Sequence, residues 1–421
     1  MATKKNILIF LTSRYPYKPG EEFIETEIKF VSKEFDEIVI IPTSSFDESS
    51  VRDVPQNVYV HKNPKTSSRV KRTFEVLRNK QSMNWLLNES RSAIKFGMKG
   101  FLNLINWLGY ANHIKKEIEE VVGGLDSEGS KIYIYSYWLT PSAVAAAMMK
   151  ETNPNLIAVS RTHGGDLYDY RHSPPYLPLK MRVINTLNRV YTISKDGYEY
   201  LSNQNPNIAN KLVVSRLGTS ASKGFSKQST DSVLRIVTCS YLKPVKRIGL
   251  LVSALSECSI PIEWTHIGDG ELRNEIETKT KLLSSNKMVR FLGNLPNEEV
   301  RRVYENGTFD LFLNVSESEG IPVTIMEAFS CGIPVMATDV GGTSELVNAQ
   351  NGVLLPKNID PVELTIEIEK YALLSDDEKK AKIRNAIETW DTTYNAERNY
   401  TDFAQATKKI GELNTYANTG E

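Results

Sequence analysis

Cysteine is scarce in this chain: Cys239, Cys258 and Cys331 are the only three among 421 residues. They lie far apart and form no Cys-x-x-Cys pair, so neither a disulfide framework nor a thiolate zinc site is indicated. Each sits in an apolar segment, where a free cysteine behaves as a small hydrophobe. An excess of one charge is missing too. Lys+Arg and Asp+Glu both number 51, for a formal net charge of zero. Nothing in that balance points to nucleic acid as a partner, since a basic excess would be expected there. Long apolar runs are also absent. No stretch of about 18 apolar residues occurs, so no membrane-spanning helix is expected. The run at 7–11 is too short for a signal-peptide core and reads as a first buried strand. A cytoplasmic protein is expected. Finally, no Asp-x-Asp occurs anywhere in the sequence.

What is present is an ordinary globular composition, 40% hydrophobic and 24% charged. The length exceeds one comfortable core and suggests two domains. Short apolar runs alternate with helix-length amphipathic segments. The pattern predicts strands at 7–12, 37–42, 132–136, 156–160 and 189–194, with a weaker one at 213–216. A second set falls at 234–240, 262–267, 289–292, 311–315, 335–338 and 353–355. Runs that are continuous rather than alternating imply strands buried on both faces, as in a parallel sheet. Helical segments between them imply right-handed βαβ units. Between the two sets lies GTSASKGFSKQSTD, rich in Ser, Thr, Gly and Lys. It reads as a linker. The expected division is a first doubly wound domain at 1–218, a linker at 219–231, a second at 232–398, and a terminal helix at 399–421 returning to the first domain.

Residues 61–100 depart from the average. They hold ten Lys or Arg and only two acids, Glu75 and Glu89. Phe101, Leu104, Ile105 and Trp107 follow. This is either a solvated helical insertion with a core-facing stripe or a weak contact with an anionic membrane surface.

The most informative stretch is SESEGIPVTIMEAFSCGIPVMATDVGGTSELV, from Ser316 to Val347. It follows a strand, and Pro322 fits the first turn of a helix from Val323 to Cys331. Strand, tight loop and helix start together leave backbone N–H groups aimed at whatever occupies the crevice. Glu319 lies in the loop and Glu327 eight residues further on, about a turn inside the helix. Two carboxylates so placed suit hydroxyl-rich partners, one a sugar and one a ribose diol, because each accepts two hydrogen bonds. The segment Ser240-Tyr-Leu-Lys-Pro-Val-Lys246-Arg247 follows another strand. Cations at a helix N-terminus oppose its dipole, so their presence favours a bound anion. His266-Ile-Gly268-Asp-Gly270 and Phe291-Leu-Gly-Asn-Leu295-Pro296 close two further strands. Lacking a third glycine, the first of these is no dinucleotide fingerprint.

In the first half, His163 and Asp166 follow the strand at 156–160, at the carboxyl end where open α/β sheets bind ligands. Tyr137 and Trp138 end another strand, where they either line an acceptor groove or simply pack. Gly20 and Glu21 lie after the first strand.

In the spacing Glu319…Glu327, the following Gly-Ile-Pro-Val and the pair Gly341-Gly342, the chain resembles glycosyltransferase family 4. That resemblance implies a GT-B fold, two doubly wound Rossmann-like domains facing across a cleft. It implies a retaining transfer from a nucleotide-diphosphate sugar to a glycan or lipid-linked acceptor, with no cofactor and no metal. The missing Asp-x-Asp agrees. In the family pattern Glu319 contacts the donor sugar and Glu327 the ribose. Gly320, Ile321, Pro322 and Val323 then belong to the donor loop, with Gly20, Gly268, Gly270 and Leu295. Lys246 matches the family lysine that neutralises the leaving diphosphate. The family's arginine position falls on Tyr241 and its glycine on Arg247, so Arg247 or Lys243 would have to supply the second cation. His163 matches a family histidine near donor sugar and acceptor, with Asp166, Tyr137 and Trp138 on the acceptor side. The family places such enzymes in cell-surface polysaccharide assembly. Two other functions are open: a UDP-sugar 2-epimerase, which the Glu319…Glu327 loop disfavours, and a non-catalytic scaffold, which intact Lys246, Glu319 and Glu327 disfavour.

Overall fold

The computed structural model describes residues 5–44, 50–62, 68–125 and 130–419. The chain divides into two compact units. The first comprises residues 1–216 and 397–421, the second 217–396.

The first unit is a seven-stranded parallel sheet. Its strands are β1 (Asn6–Thr12), β2 (Glu37–Pro42), β3 (Val58–Val60), β4 (Lys131–Ser136), β5 (Ile157–Thr162), β6 (Arg189–Thr192) and β7 (Leu212–Val214). They lie in the order β3-β2-β1-β4-β5-β6-β7. The central strands are apolar along their length because both faces are covered. Ile7 to Leu11 and Tyr133 to Tyr135 are all buried. The strand at 58–60 has no such run. It is three residues long and lies at the sheet edge, so its sequence carries no pattern.

The helices of this unit are α1 (Glu22–Val31), α2 (Arg69–Arg78), α3 (Lys80–Ile94), α4 (Gly97–Gly124), α5 (Pro141–Thr152), α6 (Gly164–Leu167), α7 (Lys180–Thr186) and α8 (Lys195–Gln204). Helix α5 is buried from Ser142 to Met149, and its small side chains let it lie between the sheet and α4. Helix α4 turns Leu104 and Leu108 into this core. Phe101, Ile105 and Trp107 pack half-buried against it. The apolar residues left exposed are others: Val70, Phe74 and Leu77 on α2, Leu87 and Ile94 on α3, and Met98 and Leu102 on α4.

The second unit has six parallel strands: β8 (Leu234–Cys239), β9 (Ile262–Ile267), β10 (Lys287–Phe291), β11 (Leu311–Asn314), β12 (Val335–Thr338) and β13 (Gly352–Leu355). Their order is β10-β9-β8-β11-β12-β13. Its helices are α9 (Ile248–Glu257), α10 (Arg273–Thr280), α11 (Asn297–Asn306), α12 (Val323–Ser330), α13 (Pro361–Ala372) and α14 (Asp376–Thr389). Cys258 and Cys331 are buried here as packing residues, and burial pushes the Cys258 thiol up to about 11.

The expected linker is corrected by the structure. Residues 219–231 belong to the second unit and are bonded to it throughout. Thr219 N–H donates to Tyr394 O (3.0 Å), Ser226 N–H to Cys331 O (2.9 Å) and Ser229 N–H to Asp310 Oδ1 (3.0 Å). The segment docks through backbone and hydroxyl groups, which is why its composition reads as a loose connector.

Helix α15 (Ala396–Thr419) carries the chain back to the first unit. Its Phe403 ring packs 4.8 Å from both Tyr135 and Tyr191. Beneath it lies a buried ion pair. Arg161 Nη1 stands 3.6 Å from Glu27 Oε2, both side chains wholly enclosed, with the guanidinium 4.6 Å from the Phe403 ring.

Candidate active site

In each unit the sheet reverses its winding next to the first strand, between β1 and β4 and between β8 and β11. Loops leaving the carboxyl ends at such a point diverge to opposite faces and open a crevice, the usual ligand position in open α/β sheets.

In the second unit the two loops at this point carry the expected residues. Lys246 follows β8 and Glu319 follows β11, and Lys246 Nζ lies 2.6 Å from Glu319 Oε1. Backbone joins the loops as well, with Glu317 N–H donating to Val245 O (2.8 Å). Asn314 Nδ2 reaches Glu319 Oε1 (3.3 Å), and its Oδ1 accepts from Ser316 N–H (3.0 Å). Gly341 shows why two glycines follow. It has φ 55°, and a Cβ there would stand 2.2 Å from Glu319 O. The Gly341–Gly342 turn is therefore pressed against Glu319–Gly320 and holds that backbone in place. Helix α12 begins at Val323 with Pro322 as its N-cap, so Gly320, Ile321 and Pro322 form the approach to its free N–H groups.

Glu327 is buried inside α12, and its carboxylate accepts a short hydrogen bond from Asn297 Nδ2 at the start of α11. Burial pushes it up to about 7 against the pull of that bond. Asn297 was not singled out in the sequence. Its only signal is Pro296 ahead of a helix, two residues after Leu295, which is half-buried in the same loop. Gly268, at φ 133°, donates its N–H to Gly293 O (2.8 Å) and lies so close to Ser240 that a Cβ would stand 2.0 Å from its carbonyl. Gly270 belongs to the same stack of loops.

Arg247 is corrected. It sits in left-handed backbone (φ 48°), and its guanidinium bonds two carbonyls, Val315 O (2.6 Å) and Lys357 O (3.0 Å). It ties the β8 and β11 loops to the β13 region rather than presenting a cation to an anion. Lys243 is exposed, 5.6 Å from the Tyr241 ring centroid.

In the first unit the loops after β1 and β4 meet in the same way. Glu21, in left-handed backbone (φ 56°), accepts four N–H groups. Three are backbone, from Ser13 (2.9 Å), Arg14 (2.6 Å) and Tyr15 (2.7 Å). The fourth is the Trp138 indole (2.6 Å). Beside them opens a cavity of about 560 Å³ lined by Arg14, Gly20, Glu21, Ser44, Trp138 and Thr140, with Tyr110 and Ile114 of α4. Glu21 was noted in the sequence only as a neighbour of Gly20, and nothing in the spacing announces its clamp.

Two acceptor-side expectations are corrected by burial. Asp166 is enclosed and accepts from Leu139 N–H (2.6 Å), from Thr162 Oγ1–H (3.2 Å) and from His163 N–H. It organises the loop instead of facing a ligand, and burial raises it to about 7. Tyr137 is likewise enclosed, its ring stacked 4.6 Å from His163. Trp138 alone of the three reaches the cavity. His163 is 7% exposed, with Trp138 4.5 Å away and neither ring nitrogen hydrogen-bonded. Burial, with Arg161 beside it, holds the imidazole well below its usual range, so it is neutral.

Two Rossmann-like units in this order, each with its first strand at the winding reversal, define the GT-B fold of glycosyltransferases. Residues 224–390, most of the second unit, match the family model described as glycosyl transferases group 1. Over nearly its whole length the chain is similar in structure to the lipopolysaccharide outer core galactosyltransferase WaaB. The TM-score is 0.67 at 14% identity, covering 96% of this chain and 99% of that one. It is also similar to HepE of Anabaena solved with UDP, with TM-score 0.63 at 16% identity, covering 96% and 100%. Identities this low show the fold alone. In sequence, the amylovoran biosynthesis glycosyltransferase AmsK of Erwinia amylovora is 31% identical over 162 residues, 35% of this chain and 39% of that protein. The chain spans less than half the length of the curated relatives it first matches.

Proposed function

We propose that this protein moves a sugar from a nucleotide-diphosphate sugar to a glycan or lipid-linked acceptor, retaining the anomeric configuration and using no metal, in the assembly of a cell-surface polysaccharide. The observation that carries this reading is the Lys246–Glu319 pair at the winding reversal of the second sheet, inside the stretch that matches a transferase family. Breaking the glycosidic bond leaves negative charge on the diphosphate. A fixed ammonium placed where that charge develops lowers the barrier without reorganisation. With Lys246 in that role and no Asp-x-Asp in the chain, a metal is not required for charge neutralisation.

The proposed step is a front-face displacement. The bond from the anomeric carbon to the β-phosphate oxygen breaks, and the acceptor oxygen bonds to that carbon on the same face. The acceptor proton passes to the departing phosphate oxygen. Glu319 holds sugar hydroxyls and keeps Lys246 in place until the phosphate takes it over. Glu327, released from Asn297, takes the ribose diol. Gly268, Gly270 and Leu295 bound the nucleotide in the second unit, and the Gly20 loop lines the first-unit cavity. The first-unit cavity, with Trp138 and Arg14 at its wall, suits a sugar acceptor, because an aromatic face and a ring of hydroxyls match pyranose chemistry. His163, packed 4.5 Å from Trp138, backs this wall as a neutral ring and not as a cation.

Among the described residues no helix is long and apolar enough to cross a membrane. A peripheral contact at the cytoplasmic face is supported by α2, where Val70, Phe74 and Leu77 form one exposed apolar stripe beside exposed Arg69, Lys71 and Arg78. Incubation with UDP-, GDP- and ADP-sugars, followed by chromatography, tests the activity. Released nucleoside diphosphate supports transfer. A new hexosamine nucleotide would indicate epimerisation, and unchanged substrate a scaffold.

A further inference from the structure

Helix α4 carries a second stripe of chemistry that the proposed reaction does not use. His113, Glu117 and Glu120 follow the i, i+4, i+7 spacing of one helix face. Across from them stands His61, the residue after β3, with Nε2 3.0 Å from Glu117 Oε2. One ligand atom from each of His61, Glu117 and Glu120 lies within 4.8 Å of the others. His113 is turned onto the same carboxylate, Nδ1 3.9 Å from Glu117 Oε1. It is 9% exposed, and its buried Nε2 has no hydrogen-bond partner.

The two lysines nearest this stripe are engaged with other residues. Lys115 bonds Gln81 and neighbours Glu119, and Lys116 pairs with Glu75 at 3.0 Å. Among the described residues, neither Glu117 nor Glu120 pairs with a lysine or arginine. Two carboxylates and two imidazoles are thus gathered in one place, and one of the carboxylates is buried, with the charges of Arg72 and Lys116 acting on His113 from nearby.

We infer that His61, Glu117 and Glu120, with His113 as the fourth member, bind one divalent ion of the zinc class. Mixed imidazole and carboxylate donors suit zinc, cobalt and nickel better than calcium or magnesium, which prefer oxygen alone. Ligands about 2.1 Å from a tetrahedral ion stand roughly 3.4 Å apart, close to the observed His61–Glu117 separation. Glu120, being exposed, reaches the same point by a rotamer change. The ion would fasten the edge strand β3 to α4, the helix whose Tyr110 and Ile114 form part of the first-unit cavity wall. Its role is to hold that wall. It is separate from the donor chemistry of the second unit, so the inference stands whether or not the sugar-transfer reading does.

The test uses the full chain stripped with chelator. Zinc is titrated by calorimetry, with cobalt absorption to report coordination, on the wild type, His61→Ala and Glu120→Gln. One saturating site is expected in the wild type, with a zinc-dependent rise in melting temperature. Each substitution should weaken binding at least tenfold, since even second-sphere changes cost 10–100-fold. Glu120 is exposed, so its glutamine variant should melt like wild type without metal. No saturable site, or an affinity unchanged in either variant, would overturn the proposal.

Discussion

Lys246 Nζ stands 2.6 Å from Glu319 Oε1 although 73 residues separate them in the chain. The meeting is dictated by the sheet. Lys246 follows the first strand of the second unit and Glu319 the fourth, and these two strands are neighbours. The pair keeps an ammonium fixed at the crevice before any ligand arrives. Glu319→Gln removes the counter-charge but keeps the shape. It should leave the affinity for free nucleoside diphosphate nearly unchanged while lowering turnover. Glu327→Ala should do the opposite, weakening that affinity, because a ribose contact exists before and during the reaction. Calorimetry beside steady-state kinetics separates the two, and the reverse order would mean the roles are exchanged.

Glu327 should also leave a mark on stability. Its folded value lies near 7 and its ordinary value at 4.5, with burial as the cause. Between these values the folded state holds a proton that the unfolded chain has lost. The stability Glu327 contributes is therefore full below about pH 4.5 and is lost as pH rises through 7. Asp166 acts with the same sign in the first unit. Glu327→Gln cannot ionise, so it should gain on wild type in urea denaturation between pH 5 and pH 8. Parallel pH profiles would show that Glu327 titrates normally.

The buried pair beneath α15 predicts a non-additive result. Arg161→Met leaves Glu27 enclosed with the Tyr135 hydroxyl (2.9 Å) as its remaining side-chain hydrogen bond. Stranding one member of a buried pair typically costs about 3–5 kcal/mol. Glu27→Gln in the same chain removes the stranded charge and should restore much of the loss. Equal losses in the single and double variants would show that the pair contributes no coupling.

Vesicle binding should depend on α2 and not on the residues that the sequence favoured. Phe101, Leu104, Ile105 and Trp107 face the core or pack against it, whereas Val70, Phe74 and Leu77 are exposed. Basic side chains near an anionic surface contribute about 1 kcal/mol each. Co-sedimentation with phosphatidylglycerol vesicles should be strong at low salt, weaker at physiological salt, and reduced by the joint change Val70→Ser, Phe74→Ser and Leu77→Ser. Equal binding to neutral vesicles would remove the electrostatic contribution.

The sheets were legible in the sequence because parallel strands covered on both faces read as unbroken apolar runs. The strand at 58–60 escaped because an edge strand of three residues has no run to show. Lys246 and Glu319 were each legible through a family motif, but their ion pair was not, because it joins residues 73 positions apart. Arg247 was not, because left-handed backbone at that position turns its side chain onto Val315 O and Lys357 O, and no spacing rule foretells that. Glu21 and Asn297 act by meeting groups far along the chain, Trp138 and Glu327, so only the fold reveals them. The stripe on α4 has a helical period either way. Which face meets the core depends on where the neighbouring helices lie.

The most direct measurement compares wild type with Lys246→Ala using the nucleotide sugar that wild type turns over. Release of nucleoside diphosphate gives kcat, and calorimetry gives donor affinity. The expected result is a fall in kcat of roughly 10²–10³-fold, the usual loss when a preorganised charge is removed, with donor affinity changed by much less. Wild-type turnover in Lys246→Ala, or no nucleoside diphosphate from any donor with the intact protein, would contradict it.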